Sequence, residues 1–524
     1  MSGIRHILFI MTDQQRWDYL GATGHPTLKT PVLDQLAAEG VLFRHAYCNA
    51  PVCGSSRMCF YTGRTVASHG VGWNQVPLPI HEMTLGDHLR PLAVRTALVG
   101  KTHMAADEGG LARLGLQPDS TRTQAIRECG FEPFERDDGL WPDAIVPETL
   151  AYNRWLNSQG YPGPNPWHEF ANAADGADGT LLSGWHLRNS RFPARVREEH
   201  SETAYMTDRA IDFIDQAGDS RWCLHLSYIK PHWPYIAPAP YHALYGVDDI
   251  LPANRATAER HDPHPVYAAY MDHEESKTFA RPGVREAVIP AYMGLITQID
   301  HHIGRVFDHL KAQGLWDHTL VVFTSDHGDY LGDHWLGEKE LFHDASIRIP
   351  LIVRDPRPEA DDTRGSVSEA IVEAIDLVPT FVEAFGGRDP GQWLEGRSLL
   401  PHLQGAPPSD WRTAAIVEMD YALRGARRSL AVSPHQARGV LVRTRDWKFV
   451  YWQGFRPQLF DLVNDPEEQV DLGASSEHEP VRQALKDQLF DYYMTRRSRV
   501  TLSDVEIEQR TDTSAKRGYK IGVW

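Results

Sequence analysis

Short apolar runs alternate with amphipathic stretches along most of this chain. Residues 7–11 form a short apolar run, so residues 6–11 predict a buried strand, and residues 95–99, 222–229 and 319–324 also read as strands. Residues 31–39 begin with proline and predict a helix. Residues 295–310 carry apolar side chains at 295, 296, 299, 303, 306 and 310, the period of an amphipathic helix, with Gly314 as its stop. Such alternation predicts a mostly parallel sheet with helices on both faces. Ligands of such sheets bind beyond the carboxyl ends of the strands. Asp13 follows the first strand and Asp326 follows the last, so both acids fall where that rule puts a site. Residues 107–195 and 240–285 are rich in Gly, Pro, Asp and Trp, show no clear period, and are assigned to substrate-side loops.

From about residue 401 the pattern changes. Residues 440–442, 447–452 and 458–462 predict short antiparallel strands, followed by a helix from 481 to about 497. The expected division is a catalytic α/β unit at 1–400, an antiparallel sheet plus helix at 401–499, and a tail at 500–524. The tail ends in Tyr519-Lys520-Ile521-Gly522-Val523-Trp524. It is read either as free or as an arm that docks on another subunit, because its aromatic and aliphatic residues need a place to bury.

Composition narrows the class. A chain of 524 residues, 42% hydrophobic and 23% charged, is long enough for a large core and two domains. Five cysteines (Cys48, Cys53, Cys59, Cys129 and Cys223) form an odd, sparse set without disulfide-framework or zinc-knuckle spacing. The first apolar run is too short for a signal peptide and lacks a small-residue cleavage site. No stretch approaches the roughly 20 apolar residues of a membrane span. The expectation is a cytoplasmic protein with no membrane partner. A net charge of −17 argues against nucleic acid as a partner, while leaving room for anionic substrates in a locally positive cleft.

The candidate chemistry centres on Cys53-Gly54-Ser55-Ser56-Arg57. A cysteine with an arginine four residues on is the pattern in which an oxidising enzyme converts the thiol to formylglycine, an aldehyde whose hydrate is a nucleophile. A divalent cation on one diol oxygen would lower its pKa. Residues 55–62, closed by Gly63, predict a short helix with Cys53 at its positive end, where an oxyanion is favoured. Arg57, one turn in, could reach the same oxygen or the substrate anion. From these residues alone, an inert buried cysteine is an equal reading. The rest of the chain lowers it. Asp13-Gln14, Gly100-Lys101-Thr102-His103, Lys230-Pro231-His232, Ser325-Asp326-His327-Gly328, Gly332-Asp333-His334 and Lys339 form an ordered set. With 26 histidines in the chain, a lone His is more often structural. Together, two carboxylates (Asp13, Asp326), an amide oxygen (Gln14) and an imidazole (His327) suit one Mn²⁺, Ca²⁺, Mg²⁺ or Zn²⁺ ion. Lys101, His103, His232 and Lys339 supply donors to neutralise an anion and protonate a leaving oxygen.

That ordered set resembles the sulfatase branch of the alkaline phosphatase superfamily. The resemblance runs from the first strand to Leu459-Phe460-Asp461-Leu462-Val463-Asn464-Asp465-Pro466, which is similar to the family's C-terminal sheet signature. Within the branch it is most similar to phosphonate monoester hydrolases. Asp13-Gln14 replaces the paired aspartates of typical sulfatases, Asp326-His327-Gly328 replaces Asp-Asn, and the run from Gly332 to Val353 has the character of that group. Choline sulfatases share some of these features.

The resemblance implies an α/β fold with a mostly parallel central sheet sandwiched by helices, alkaline-phosphatase-like, and a smaller C-terminal α+β domain. It implies Asp13, Gln14, Asp326 and His327 as metal ligands, completed by an oxygen on modified Cys53. Arg57 would hold the diol, with Lys101 and His103 as the family's Lys-x-His pair beside the aldehyde hydrate. Asn74 and Thr102 would contact substrate oxygens, and His232 with Lys339 would flank the leaving group. The diol would attack phosphorus or sulfur in line, leaving a covalent hemiacetal ester that collapses to the aldehyde. The implied function is metal-dependent hydrolysis of phosphonate monoesters and phosphodiesters, with sulfate monoesters also accepted. A dedicated arylsulfatase or choline-sulfatase-like enzyme is the second reading, and a catalytically silent anion-binding relative the third. A small anionic ester, the formylglycine-generating enzyme and further copies of the chain (a dimer or tetramer) are the implied partners. One departure stands out: Ser55 occupies a position where the modification signature usually has proline or alanine.

Overall fold

The apolar run at the start of the chain becomes β1 (His6–Asp13), a central strand buried along its whole length. A computed structural model of the protein describes residues 3–388, 392–497, 499–520, 522 and 524. Ile521 and Val523, part of the tail's apolar end, lie outside the described residues. Thirteen further strands follow among the described residues: β2 (Val41–Tyr47), β3 (Arg95–Gly100), β4 (Glu132–Arg136), β5 (Ala173–Asp175), β6 (Leu181–Ser183), β7 (Trp222–Pro231), β8 (Thr319–Ser325), β9 (Leu351–Arg354), β10 (Ser366–Glu373), β11 (Ala414–Asp420), β12 (Arg438–Thr444), β13 (Trp447–Trp452) and β14 (Gln458–Asp461). Eight of them form the main sheet in the order β10-β2-β9-β8-β1-β7-β3-β4. Only β9 runs antiparallel to its neighbours, β2 and β8.

Because side chains alternate across a strand, a strand covered on both faces must be apolar at every position. In β1, Ile7, Phe9 and Met11 pack with Met58, Phe60 and Phe381 on one face. Leu8 and Ile10 pack on the other with Phe213 of the helix Glu202–Ala217 and with Ile299, Ile303 and Val306 of the helix Val284–Ala312. The second sheet, β11-β12-β13-β14, is antiparallel. Its Ala415, Val417, Leu441 and Trp452 extend the first core, while Ile416, Val442 and Phe449 pack on Leu485 and Leu489 of the helix Glu479–Thr495.

Register places the site. Thr12 lies opposite Ser325, which sets Asp13 and Asp326 side by side at adjacent strand ends. Gly100 lies opposite Ser227, so Lys101 emerges beside them. Gly100 turns the chain at φ 106°, and a Cβ there would lie 1.9 Å from the Ser227 carbonyl oxygen. The helix predicted over 295–310 begins earlier, at Val284, and contains Pro290. Its residues from Ala287 to Asp300 are all buried, so no polar stripe marks that half. Residues 107–195 hold β4 and the helices Glu108–Arg113, Thr121–Arg127 and Ala151–Ser158, where the pattern predicted loops. No described helix is long and apolar enough to cross a membrane.

Candidate active site

The helix Cys53–Thr62 is buried at all ten residues, and hence shows no amphipathic pattern in the sequence. Its first residue is Cys53. Val52, at the N-cap, offers no side-chain acceptor; instead the Gly54 N–H donates to Asn74 Oδ1 at 2.7 Å, so a distant loop satisfies a free donor of the first turn. Gly63 closes the helix at φ 65°, with its N–H bonded to the Cys59 carbonyl. Ser56 Oγ donates to the Asp326 carbonyl at 2.6 Å and pins the helix to the end of β8.

Arg57 lies between the two strand-end carboxylates. Its Nη2 is 3.0 Å from Asp13 Oδ2 and its Nε 2.9 Å from Asp326 Oδ2, while Nη1 donates to the Lys101 carbonyl and to Ser227 Oγ. Arg57 is therefore engaged with the acids that flank Cys53. Lys101 Nζ reaches Asp13 Oδ2 at 2.6 Å. Burial and Cys53 push the Asp13 carboxyl upward, but Lys101, His232 and Arg57 outweigh them and hold it well below the ordinary range. Asp326 is pushed upward by burial and by Asp13.

Cys53 Sγ lies 3.1 Å from His327 Nε2 and 3.8 Å from Asp13 Oδ1. The other ring nitrogen of His327, Nδ1, donates to the Gly328 carbonyl at 2.9 Å, which turns the Nε2 lone pair toward the site. Burial alone would lower His327; Asp326 and Cys53 raise it to about 8. Burial alone would raise the Cys53 thiol, but Lys339, Lys101 and His327 bring it well below its ordinary value, with His103 also beside it. His103 is held at φ 55°, and its backbone N–H and that of Thr102 both donate to Asp138 Oδ1 at 2.9 Å. Burial would raise Asp138; Arg136 brings it down to about 2.

Gln14, also at positive φ (66°), donates its backbone N–H to Asp326 Oδ1, and its Oε1 accepts from Lys339 Nζ at 2.8 Å. Lys339 Nζ is 3.1 Å from His232 Nε2 as well. Burial and Lys339 push His232 down to about 4.

The structure thus brings Asp13, Gln14, Cys53, Arg57, Lys101, His103, His232, Asp326, His327 and Lys339 together, with Asn74 and Thr102 bonded at its edge. Donor atoms of Asp13, Cys53, Asp326 and His327 all lie within 4.8 Å of one another, and all four residues are buried. Two carboxylates and one oriented imidazole in a buried cluster fit a divalent cation. Asp333 and His334 lie elsewhere: Asp333 pairs with Arg16 and Arg285, and His334 bonds Glu259 at 2.6 Å. Glu259, His334 and His343 also cluster. The two rings stack at 3.7 Å and 5°, so their in-plane lone pairs do not converge on a common point. Asp138 and Ser227 stand outside the motifs of the sequence, and Tyr235 stands three residues after His232. Asp329 stands three residues after Asp326.

The sulfatase family model matches residues 5–387, and the model of the N-sulphoglucosamine sulphohydrolase C-terminal region matches residues 332–495. The chain is a member of the sulfatase family. Among curated relatives of this sulfatase-family chain, the multifunctional alkaline phosphatase superfamily protein PehA of Trinickia caryophylli is 33% identical over 491 residues, covering 88% of this chain and 90% of its own. The arylsulfatase of Clostridium perfringens is 27% identical over 501 residues, covering 90% and 91%. Among solved structures, the phosphonate monoester hydrolase SpPMH from Silicibacter pomeroyi matches with TM-score 0.83 and 28% identity, covering 95% of this chain and 97% of that one. The phosphonate monoester hydrolase of Agrobacterium radiobacter matches with TM-score 0.80 and 28% identity, covering 93% and 95%. The resemblance and the fold class read from the sequence are borne out. The sulfatase-family chain has an alkaline-phosphatase-like fold, and its relatives are ester hydrolases.

Proposed function

We propose that this chain hydrolyses phosphonate monoesters and phosphodiesters, and also accepts sulfate monoesters, through a nucleophile generated from Cys53. The observation that carries this reading is the placement of Cys53. It stands at the positive end of a buried helix, 3.1 Å from His327 and 3.8 Å from Asp13, among Lys101, Arg57 and Lys339. The two phosphonate monoester hydrolase neighbours support the choice of ester. The arylsulfatase match supports the second reading, a dedicated sulfatase. The three ester classes share one negative charge on a tetrahedral centre, so one site can bind them all. A silent anion-binding relative would have no need for the convergence of two acids, two lysines and three histidines around one cysteine.

In this reading Asp13, Gln14, Asp326 and His327 hold a divalent cation, with Cys53 beside it. Bound there, the cation supplies Lewis acidity that lowers the pKa of a neighbouring hydroxyl. Arg57 neutralises and spaces the two carboxylates. Lys101 and His103 stand beside the modified side chain, and Asn74 and Thr102 face the ester oxygens. His232 and Lys339 flank the leaving oxygen, where the ammonium offsets developing charge. A cavity of about 750 Å³, lined by Trp185, Trp233, Tyr235, Phe279 and Glu338, includes the chain neighbours of His232 and Lys339, and in this reading it receives the alcohol portion.

The remaining expectations belong to the same reading: a catalytic unit at 1–400, a C-terminal unit at 401–499, the formylglycine-generating enzyme as partner, and a cytoplasmic homo-oligomer. The test is the mass of the peptide spanning Cys53, with an aldehyde-trapping reagent, on protein co-expressed with that enzyme. Turnover of an aryl phosphonate monoester and an aryl sulfate is then compared. Trapping at Cys53 with faster phosphonate turnover is expected. An untouched thiol overturns the nucleophile, and sulfate-only turnover moves the second reading to the front. Removing divalent cations by chelation should abolish turnover, with recovery on adding Mn²⁺; full activity after chelation would sink the metal assignment.

A further inference from the structure

Gln14 carries an amide where an acid would present oxygen in either orientation. Turned one way it offers Oε1 to the site, turned the other way its NH2 group, and only oxygen can ligate a cation or accept from Lys339. The group that chooses lies behind it. Asp329 is fully buried, and its two oxygens have distinct partners. Oδ1 accepts the Leu331 N–H at 2.9 Å. Oδ2 accepts from Gln14 Nε2 at 2.6 Å and from the Tyr235 hydroxyl at 2.5 Å. A carboxylate with three donors on it only accepts, so the Gln14 amide must point its NH2 group at Asp329 and its oxygen at the site.

The polarity then runs onward without a reversible link. Gln14 Oε1 accepts from Lys339 Nζ, which only donates, and Lys339 faces His232 Nε2. At the far end His232 Nδ1 donates to the Trp233 carbonyl at 2.7 Å, which leaves Nε2 as the acceptor. Asp329 at one end and a backbone carbonyl at the other, both pure acceptors, draw the bonds outward from Lys339, which donates both ways. Tyr235 cannot impose it, because a hydroxyl both donates and accepts. We propose that Asp329 is a positioning residue that holds the Gln14 amide oxygen toward the cation site and toward Lys339, and so keeps Lys339 aligned on His232. The cation part of this rests on the reading of Gln14 as a ligand given above.

Asp329→Asn reverses the Gln14 link. The Leu331 N–H still requires an oxygen at the inner position, so the new NH2 group falls where Oδ2 stood. Gln14 must turn its oxygen to that group and present NH2 to Lys339 and the site. In the full-length protein, calorimetric titration with Mn²⁺ should show affinity reduced about tenfold or more, in the range of lost outer-shell support. Tyr235→Phe should leave it in place. The deciding arm is the Gln14→Glu background, where either orientation presents oxygen. There Asp329→Asn should no longer weaken binding, and should strengthen it by removing one of two facing carboxylates. Equal weakening by Asp329→Asn in both backgrounds would make Asp329 a structural residue and overturn the proposal, as would no change with Gln14 intact. Unchanged Mn²⁺ affinity in Gln14→Ala is a separate failure, because it strikes out Gln14 as a ligand whatever Asp329 does.

Discussion

Ser55 stands third in the helix that starts at Cys53, with a buried hydroxyl that has no hydrogen-bond partner among the described residues. Backbone N–H groups of a first turn have no acceptor within the helix, so proline is tolerated there. Proline would also restrict the unfolded segment that a modifying enzyme must bind in extended form, which lowers the entropic cost of that encounter. Ser55→Pro should therefore fold like the parent and raise the fraction of Cys53 converted on co-expression, read by aldehyde trapping and peptide mass. Conversion that stays level or falls would show that Ser55 is no handicap. At the leaving-group side, burial and Lys339 keep His232 near 4, so around neutrality Lys339 holds the proton between them. Lys339→Met should slow alkyl esters about a hundredfold or more, the usual scale of a lost proton donor, and good aryl leaving groups far less. His232→Gln should show the same ordering, because it removes the acceptor that aligns the ammonium. A uniform loss of kcat/KM across leaving groups would assign the pair to binding instead.

At the scale of elements, one glycine couples β3 to the site. Gly100 lies at φ 106°, and its Cα hydrogen faces the backbone of β7, where a methyl group would sit 1.9 Å from the Ser227 oxygen. That same oxygen accepts the Lys101 N–H at 3.1 Å. Gly100→Ala must shift one strand end or the other, at a cost on the order of 3 kcal/mol from backbone strain and clash together. A clear fall in melting temperature with loss of Lys101-dependent turnover is expected; an unchanged melting curve would show that the strand ends move freely.

This junction also shows what the sequence could reveal. Strands β1, β7 and β8 were legible because both faces are covered, which favours near-continuous apolar runs, broken in β7 at His225, Ser227 and Lys230. β2, β9, β10 and β11 were missed: Arg44 and His45 break the run in β2, and β10 is polar over its exposed first half. Asp13, Asp326 and Cys53 were legible because each follows directly on a strand or opens a helix. Asp138 and Tyr235 were not, since the site residues they bond, His103 and Asp329, lie 35 and 94 positions away in the chain and only the folded backbone brings them near.

For the whole molecule, the open question is what covers the C-terminal apolar surface. On the helix Glu479–Thr495, Phe490 and Met494 are 64% and 68% exposed. In the tail, Val505 of the helix Asp504–Arg510 and Tyr519 are each 66% exposed. Side chains of this size are costly to leave in water on neighbouring elements, at about 25 cal/mol per Å². In the proposed homo-oligomer a second copy of the chain would bury them. The net charge of −17 opposes this, because two such copies repel at long range. Contact through these apolar side chains should therefore strengthen as salt screens the repulsion, the reverse of an ion-paired interface. Light scattering on the eluting protein should give a multiple of 59.2 kDa that persists or rises with added salt. Deleting residues 500–524 should move the mass toward the single chain, with the melting temperature as control for folding. A full-length chain that elutes as a monomer at all salt concentrations would reject the oligomer. An oligomer indifferent to the deletion would keep the assembly and place its interface away from the tail.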